Sequence, residues 1–334
     1  MTEDELLPWL HDKWQTVVGA ESRLSPAVLF HGPIGIGKLV FARRFARALL
    51  CEDSSSTVMR PCNQCPSCLL FDAGTHPDYL QIEPEAEKPE EGEQAAPVAK
   101  TRMTAHISIA AVRAVVDFNQ LSSSRGRGKV LLLHPAEAMN HNAANALLKT
   151  LEEPAPGVRF LLISHRPGRL AATIRSRCSE IKISLPDRAL ALQWLEAQKL
   201  ADASIALDEA AGAPLLAQNQ HGDADYVKAV QALERVMKDR GESTSMETLL
   251  DVSPERLIGM LQKRALDKLA YSLCGRGLYR AIPSDSGQSE KVSALQLARW
   301  CQTLVAEARF AAHPLNQRLL YERILNSVPG HADN

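Results

Sequence analysis

Two groups of residues in this chain are spaced for chemistry. The first is Gly32-Pro33-Ile34-Gly35-Ile36-Gly37-Lys38, reached directly from the apolar run Ala27 to Phe30. A short buried strand that empties into Gly, four residues, then Gly-Lys is the pattern of a phosphate-binding loop, whose glycines let backbone N–H groups turn inward around an anion. Gly32, Gly35, Gly37 and Lys38 are therefore the candidate nucleotide-binding residues. The next position normally carries Ser or Thr, whose hydroxyl holds magnesium, and here it is Leu39. The second group is Cys62, Cys65 and Cys68, with two residues between successive members, and Cys51 at the end of the preceding predicted helix. Four thiolates close a tetrahedral shell around zinc and leave no position for water, so the site would be structural. Unligated thiols in a loop are the plainer reading.

The other parts of a nucleotide-hydrolysing site are missing or altered. A second strand in phosphate-loop ATPases ends in an acidic pair, but the candidate strand Val130 to Leu133 ends in His134-Pro135-Ala136-Glu137. Pro135 and a helical start are expected to point Glu137 elsewhere. A lone histidine such as His134 reads as packed and hydrogen-bonded, neither ligand nor base. Magnesium thus lacks protein ligands and water lacks an activator, which predicts no intrinsic ATPase and leaves passive nucleotide binding open. Thr173-Ile174-Arg175-Ser176-Arg177-Cys178 precedes the last predicted strand, at the edge of the core domain. A guanidinium there could reach the γ-phosphate held by a neighbouring subunit, as an arginine finger does in trans; the alternative is a structural ion pair.

The elements that must position these groups alternate. Apolar periodicity predicts helices over Leu6–Val18, Leu39–Cys51, Ile107–Leu121 and Ala143–Glu153, the last with Asn142 as N-cap and Pro154 as its stop. Strands are expected at Ala27–Phe30, Tyr79–Ile82, Val130–Leu133, Phe160–Ser164 and Ile181–Leu185. This order gives an α/β core with a largely parallel sheet over residues 1–186. The basic turn Arg125-Gly126-Arg127-Gly128-Lys129 could touch a phosphate backbone, although charged turns are common. Glu83 to Thr101, rich in Glu, Pro and Ala, reads as an acidic insertion with little to bury. Strand signals vanish after Pro186, which predicts a small helical domain at 187–241 and a second helical domain at 242–334.

Composition sets the outer bounds. The 334 residues suffice for two or three domains, and 45% apolar with 23% charged residues is ordinary for a soluble globular protein. There is no apolar run long enough to span a membrane and no basic N-terminal leader, so a cytoplasmic location is expected. A formal net charge of -1 gives no global attraction to nucleic acid. Clustered cysteines in a reducing compartment favour metal over disulfides.

Pro8-Trp9-Leu10, His31-Gly32 to Lys38, the four cysteines followed by Gly74-Thr75-His76-Pro77-Asp78, Asn145-Ala146-Leu147-Leu148-Lys149-Thr150-Leu151-Glu152-Glu153-Pro154, and Ser176-Arg177-Cys178 together resemble the clamp-loader branch of the AAA+ ATPases. The resemblance covers Leu6 to Leu185 closely and the last third loosely, best at Asn316 to Leu325. It implies a helical lid and an all-α collar after the AAA+ core, structural zinc on Cys51, Cys62, Cys65 and Cys68, and an arginine finger at Arg177. It implies as partners gamma/tau-type motor subunits that bring ATP and magnesium, a delta-type clamp-opening subunit in a hetero-pentameric ring, the sliding clamp, and primer-template DNA reached through the complex. The motor subunits keep the magnesium hydroxyl, the acidic pair and a lid arginine. Leu39, His134, Pro135 and the segment Gly212-Ala213-Pro214-Leu215-Leu216 depart from them together. The implied role is the non-hydrolysing stator of the DNA polymerase III holoenzyme, a nucleotidyltransferase complex. The rivals are an active motor ATPase and a zinc-containing DNA-binding module.

Overall fold

Short apolar runs separated by amphipathic segments build, in a computed structural model, a five-stranded sheet wrapped by helices. The structure describes residues 6–53, 60–84, 106–223, 226–230, 233, 252–275, 277, 292–311 and 317–329. Residues 85–101 of the expected acidic insertion lie outside these. The strands are β1 (Ala27–His31), β2 (Tyr79–Ile82), β3 (Lys129–Leu133), β4 (Val158–Ser164) and β5 (Ser179–Lys182). Their order is β2-β3-β4-β1-β5, and every pairing is parallel. Central strands buried on both faces need unbroken apolar runs, and Val28-Leu29-Phe30, Val130 to Leu133 and Phe160 to Ile163 supply them.

Helix α1 (His11–Gly19) precedes β1, and the connections between strands carry α2 (Lys38–Leu50), α3 (Pro66–Asp72), α4 (Ile109–Gln120), α5 (His141–Glu152) and the short α6 (Ala172–Arg175). Asn140, not Asn142, caps α5: its side chain accepts from the Ala143 amide at 2.8 Å, three residues on, the reach that an N-cap requires. Trp14 of α1 packs edge-on against Phe41 of α2 at 5.6 Å between ring centroids, and Phe30 of β1 meets the same ring at 5.3 Å. Each such pair adds about 0.5–1.5 kcal/mol beyond its buried area, so the strand and helix flanking the phosphate loop are held as one body. β5 begins and ends earlier than its apolar residues suggest. It is an edge strand of alternating partial burial, and Ile183 beyond it keeps only an amide bond to the His31 carbonyl, 2.9 Å.

Both ends of the segment between β2 and α4 close on the residues after β3. Glu83 meets His134 at 3.2 Å, and Ile107 bridges Met139 while donating its amide to the Ala138 carbonyl at 3.0 Å.

The chain divides into two compact units, Met1–Leu190 and Ala191–Asn334. Helix α7 (Arg188–Ala197) spans the division. The second unit holds α8 (Ala203–Glu209), α9 (Pro214–Gly222), α10 (Pro254–Cys274), α11 (Ala294–Glu307) and α12 (Gln317–Asn326), with no strand among its described residues. Leu257, Leu261, Trp300, Leu304, Tyr321 and Ile324 form its core, and Ala229 and Leu233 belong to the same cluster. No helix among the described residues is long and apolar enough to cross a membrane.

Candidate functional site

The phosphate loop sits where β1 ends and α2 begins. Gly37 caps α2 with φ +92°, in the left-handed region, and a Cβ there would stand 2.3 Å from Leu7 Cδ1. At Gly32 a Cβ would lie 2.0 Å from the backbone oxygen of Ile183, so β1 leaves the sheet too close to its neighbour for any side chain. The N-terminal turn Pro8–Leu10 braces the loop from the other side, Trp9 Nε1 donating to Ile36 O at 3.0 Å.

Lys38 is buried and spends its ammonium on the loop itself, donating to Gly32 O at 2.8 Å and to Pro33 O. Burial pushes it down to about 8, against the opposing pull of the Glu137 carboxylate. An anion in this loop would therefore have to draw the ammonium away from two carbonyls. Leu39 is half-buried on the first turn of α2 and offers no oxygen.

Past β3, Glu137 is aimed back at the sheet, contrary to the expectation from Pro135. Its Oε1 accepts from the His165 and Arg166 amides, 2.8 and 3.0 Å, and its Oε2 is buried with no hydrogen-bond partner. The turn of 3-10 helix at Ala136–Ala138 redirects the side chain toward the end of β4. Burial disfavours the Glu137 carboxylate, but hydrogen bonds and the His165 ring outweigh it and hold the group below its usual range. His165, which follows β4, passed unnoticed in the sequence. Its place one residue beyond a buried strand, as His134 stands one residue beyond β3, was the available signal. Their Nε2 atoms stand 3.2 Å apart.

The four cysteines converge. One sulfur from each of Cys51, Cys62, Cys65 and Cys68 lies within 4.8 Å of all the others, with Cys51 and Cys65 at 4.0 Å. Sulfurs about 2.3 Å from a tetrahedral zinc stand about 3.8 Å apart, so this donor set fits that ion with small adjustments. Amides of Gln64 and Cys65 lower Cys62 to about 7, while burial raises Cys51 and Cys68. Buried thiols that resist ionising alone are stable as thiolates beside a divalent cation.

This module is tied to the sheet by polar contacts from the basic turn. Arg125 Nε meets Glu52 Oε1 at 2.5 Å, Arg127 Nε donates to Cys51 O at 2.9 Å, and Lys129 Nζ donates to Phe118 O at 2.7 Å. The cations that might have met a phosphate backbone are thus used inside the chain. Asp78 is buried and accepts from the Ser124 and Arg125 amides at 2.8 and 2.9 Å and from Ser123 Oγ at 3.0 Å. His76 Nδ1 accepts from the Asp78 amide at 3.1 Å, and its Nε2 reaches Ser67 on α3 at 2.5 Å. Burial raises the Asp78 carboxyl, but those donors and His76 outweigh it, leaving the group below its ordinary value. Its stabilisation is thus complete above about pH 4, the unfolded value, and is lost as pH falls through the depressed folded one. Asp78→Ala should cost about 3 kcal/mol at pH 7, because three donors lose their acceptor. Urea midpoints of the wild type and Asp78→Ala should differ most at about pH 7 and draw together as pH falls below about 4 and through the depressed folded value of Asp78.

Both arginines before β5 are paired. Arg175 forks onto Glu180, Nη2 at 3.0 Å from Oε1. Arg177 is about one-third exposed, donates Nη1 to Thr173 O at 2.6 Å, and forms an ion pair with Glu152 at the end of α5. An exposed pair of this kind contributes about 0–1 kcal/mol and yields readily to a phosphate.

A family model described as DNA polymerase III, delta subunit matches residues 11–187, which include the phosphate loop, the four cysteines, Glu137, His165 and Arg177. The DNA polymerase III subunit delta-prime of Pseudomonas aeruginosa is 35% identical over 98% of this chain and 99% of its own length. The chain belongs to the DNA polymerase III delta-prime family. Within that family the subunit from Yersinia pestis is 36% identical over 57% of this chain and 52% of its own. A solved gamma subunit-related protein of DNA polymerase III from Thermotoga maritima superposes with TM-score 0.51 at 20% identity, covering 94% of this chain and 97% of that one. This chain therefore shares the fold of that structure over nearly its full length.

Proposed function

We propose that this chain is the non-hydrolysing stator of a DNA polymerase III clamp loader. In this reading it is an AAA+ core with a helical lid at 187–241 and a collar at 242–334. It works in the cytoplasm in a hetero-pentameric ring with gamma/tau-type motors and a delta-type subunit. Arg177 is supplied in trans to a motor's ATP while the sliding clamp is opened and placed on primer-template DNA. Zinc on Cys51, Cys62, Cys65 and Cys68 fixes the module beside the sheet and takes no part in the chemistry.

The observation that carries the reading is the state of the phosphate loop. Lys38 is engaged by Gly32 and Pro33, and the neighbouring strand end presents His134-Pro135 in place of carboxylates. With no side-chain oxygen at Leu39 or at those positions, the usual places for a magnesium ligand and for a base toward water hold neither, and Glu137 Oε1 is already bound to the His165 and Arg166 amides. The near-full-length likeness to the Pseudomonas aeruginosa subunit supports the same assignment.

ATP turnover tests it. The purified chain should release no phosphate above buffer, and Lys38→Ala should leave that result unchanged, while the assembly with its motor partners turns over. Turnover by the chain alone that disappears in Lys38→Ala would make it a motor.

A further inference from the structure

The ends of three adjacent parallel strands each place a metal-ligating side chain outside the sheet: Glu83 after β2, His134 after β3 and His165 after β4. We propose that His134 and His165 form a second metal site in this chain, separate from the four cysteines, that takes a divalent transition metal such as nickel, cobalt or zinc.

The argument is geometric. The two Nε2 atoms face each other at 3.2 Å, with the rings edge to face and their centroids 5.1 Å apart. Two imidazole nitrogens, each about 2.1 Å from a tetrahedral metal, stand about 3.4 Å apart, so the spacing is already right; the ion takes the place of the proton in the N–H···N hydrogen bond that joins the rings, which turn so that both lone pairs meet beside the line between the nitrogens. The rings are already aimed. His134 Nδ1 lies 3.2 Å from Glu83 Oε1, and a carboxylate can accept only from Nδ1–H, which leaves the Nε2 lone pair of His134 directed at His165. A carboxylate behind the far nitrogen is also the partner that orients metal-bound histidines generally.

Imidazole nitrogen sets the class of ion. Magnesium prefers oxygen donors in a strict octahedron, whereas imidazole suits zinc, nickel, copper and cobalt. The strand end that lacks the acids for magnesium is in this way suited to a softer cation. Among the described residues the cysteine cluster is the one set of three or more donors brought together. The histidine site is therefore a two-ligand site whose other positions fall to water or to an anion. This proposal does not depend on Arg177 or on the stator assignment.

The test uses the untagged full chain with one zinc per molecule already confirmed in the cysteine site. Equilibrium dialysis against nickel, followed by metal analysis, should find one nickel per chain in addition to that zinc. His134→Asn and His165→Asn should each weaken the nickel affinity at least tenfold, and Glu83→Gln by about tenfold, the usual loss when the partner of a metal-bound histidine is removed. Zinc content of each variant reports that the fold is kept. Nickel retained at wild-type affinity in both histidine variants, or absent from the wild type, overturns the proposal. The wild type alone provides a second reading. Of its ten histidines, the ring protons of His134 and His165 should be the first broadened by substoichiometric nickel, and earlier broadening of any other ring overturns it equally.

Discussion

In a reconstituted assembly, replacing Arg177 with alanine should lower turnover at the motor ATP site to which we propose it is supplied by about 10³-fold, the low end of what a trans guanidinium supplies. The steady-state rate of the whole assembly then falls by that site's share. The size follows from position: charge accumulates on the γ-phosphate oxygens in the transition state, and a planar fork of N–H donors stabilises it without reorganising solvent. Arg177→Lys should recover only a small part, because an ammonium cannot make two parallel hydrogen bonds. Glu152→Gln removes the resident partner of Arg177 and should leave turnover intact, with the folding midpoint moved by no more than about 0.5 kcal/mol. Equal turnover with Arg177 and with alanine would refute the assignment and return the residue to the role of a structural ion pair.

Loss of the metal at the cysteine cluster has the largest expected effect on stability. Cys68→Ser should lower stability by about 4 kcal/mol, which for a unit of this size lowers the melting temperature by about 8–16 °C. Isolated zinc modules owe about 10–16 kcal/mol of apparent free energy to their ion. Here the sheet has its own core of Leu131, Leu162, Val112 and Leu147 and should outlast the module, so only part of that sum is expected to be at stake. The loss propagates because Cys51 and Glu52 anchor Arg127 and Arg125, which in turn place the turn around Asp78. Cys274→Ser, at an exposed thiol, is the control. Differential scanning calorimetry paired with zinc analysis decides the matter, and matching melting temperatures for the two variants would remove the metal from the account.

Much of the core was legible in the sequence. β2 is found where Tyr79 to Ile82 predicted it, and β3 and β4 differ from the prediction by one or two residues at their starts, because buried parallel strands leave unbroken apolar runs between turn residues. The cysteine cluster was equally plain, since its spacing is local. What escaped was long-range. Arg125 and Glu52 are 73 residues apart, so no local pattern reveals that the basic turn is committed to the metal module. Glu137 was misjudged because one turn of 3-10 helix, invisible in hydrophobic periodicity, swings its side chain back to β4. His134 was read as a solitary histidine for the same reason: its partner His165 lies 31 residues on, and only the register of β3 with β4 brings the rings together.

The closure of residues 83 and 107 onto the exit of β3 has a practical consequence. Both stems are fastened by contacts of their own, Glu83 to His134 and Ile107 to Ala138 and Met139, which an insertion between them leaves in place. The interval between them is therefore the natural place to splice a fluorescent or affinity module into this subunit, one that reports on assembly while the sheet, the cysteine site and Arg177 stay as they are.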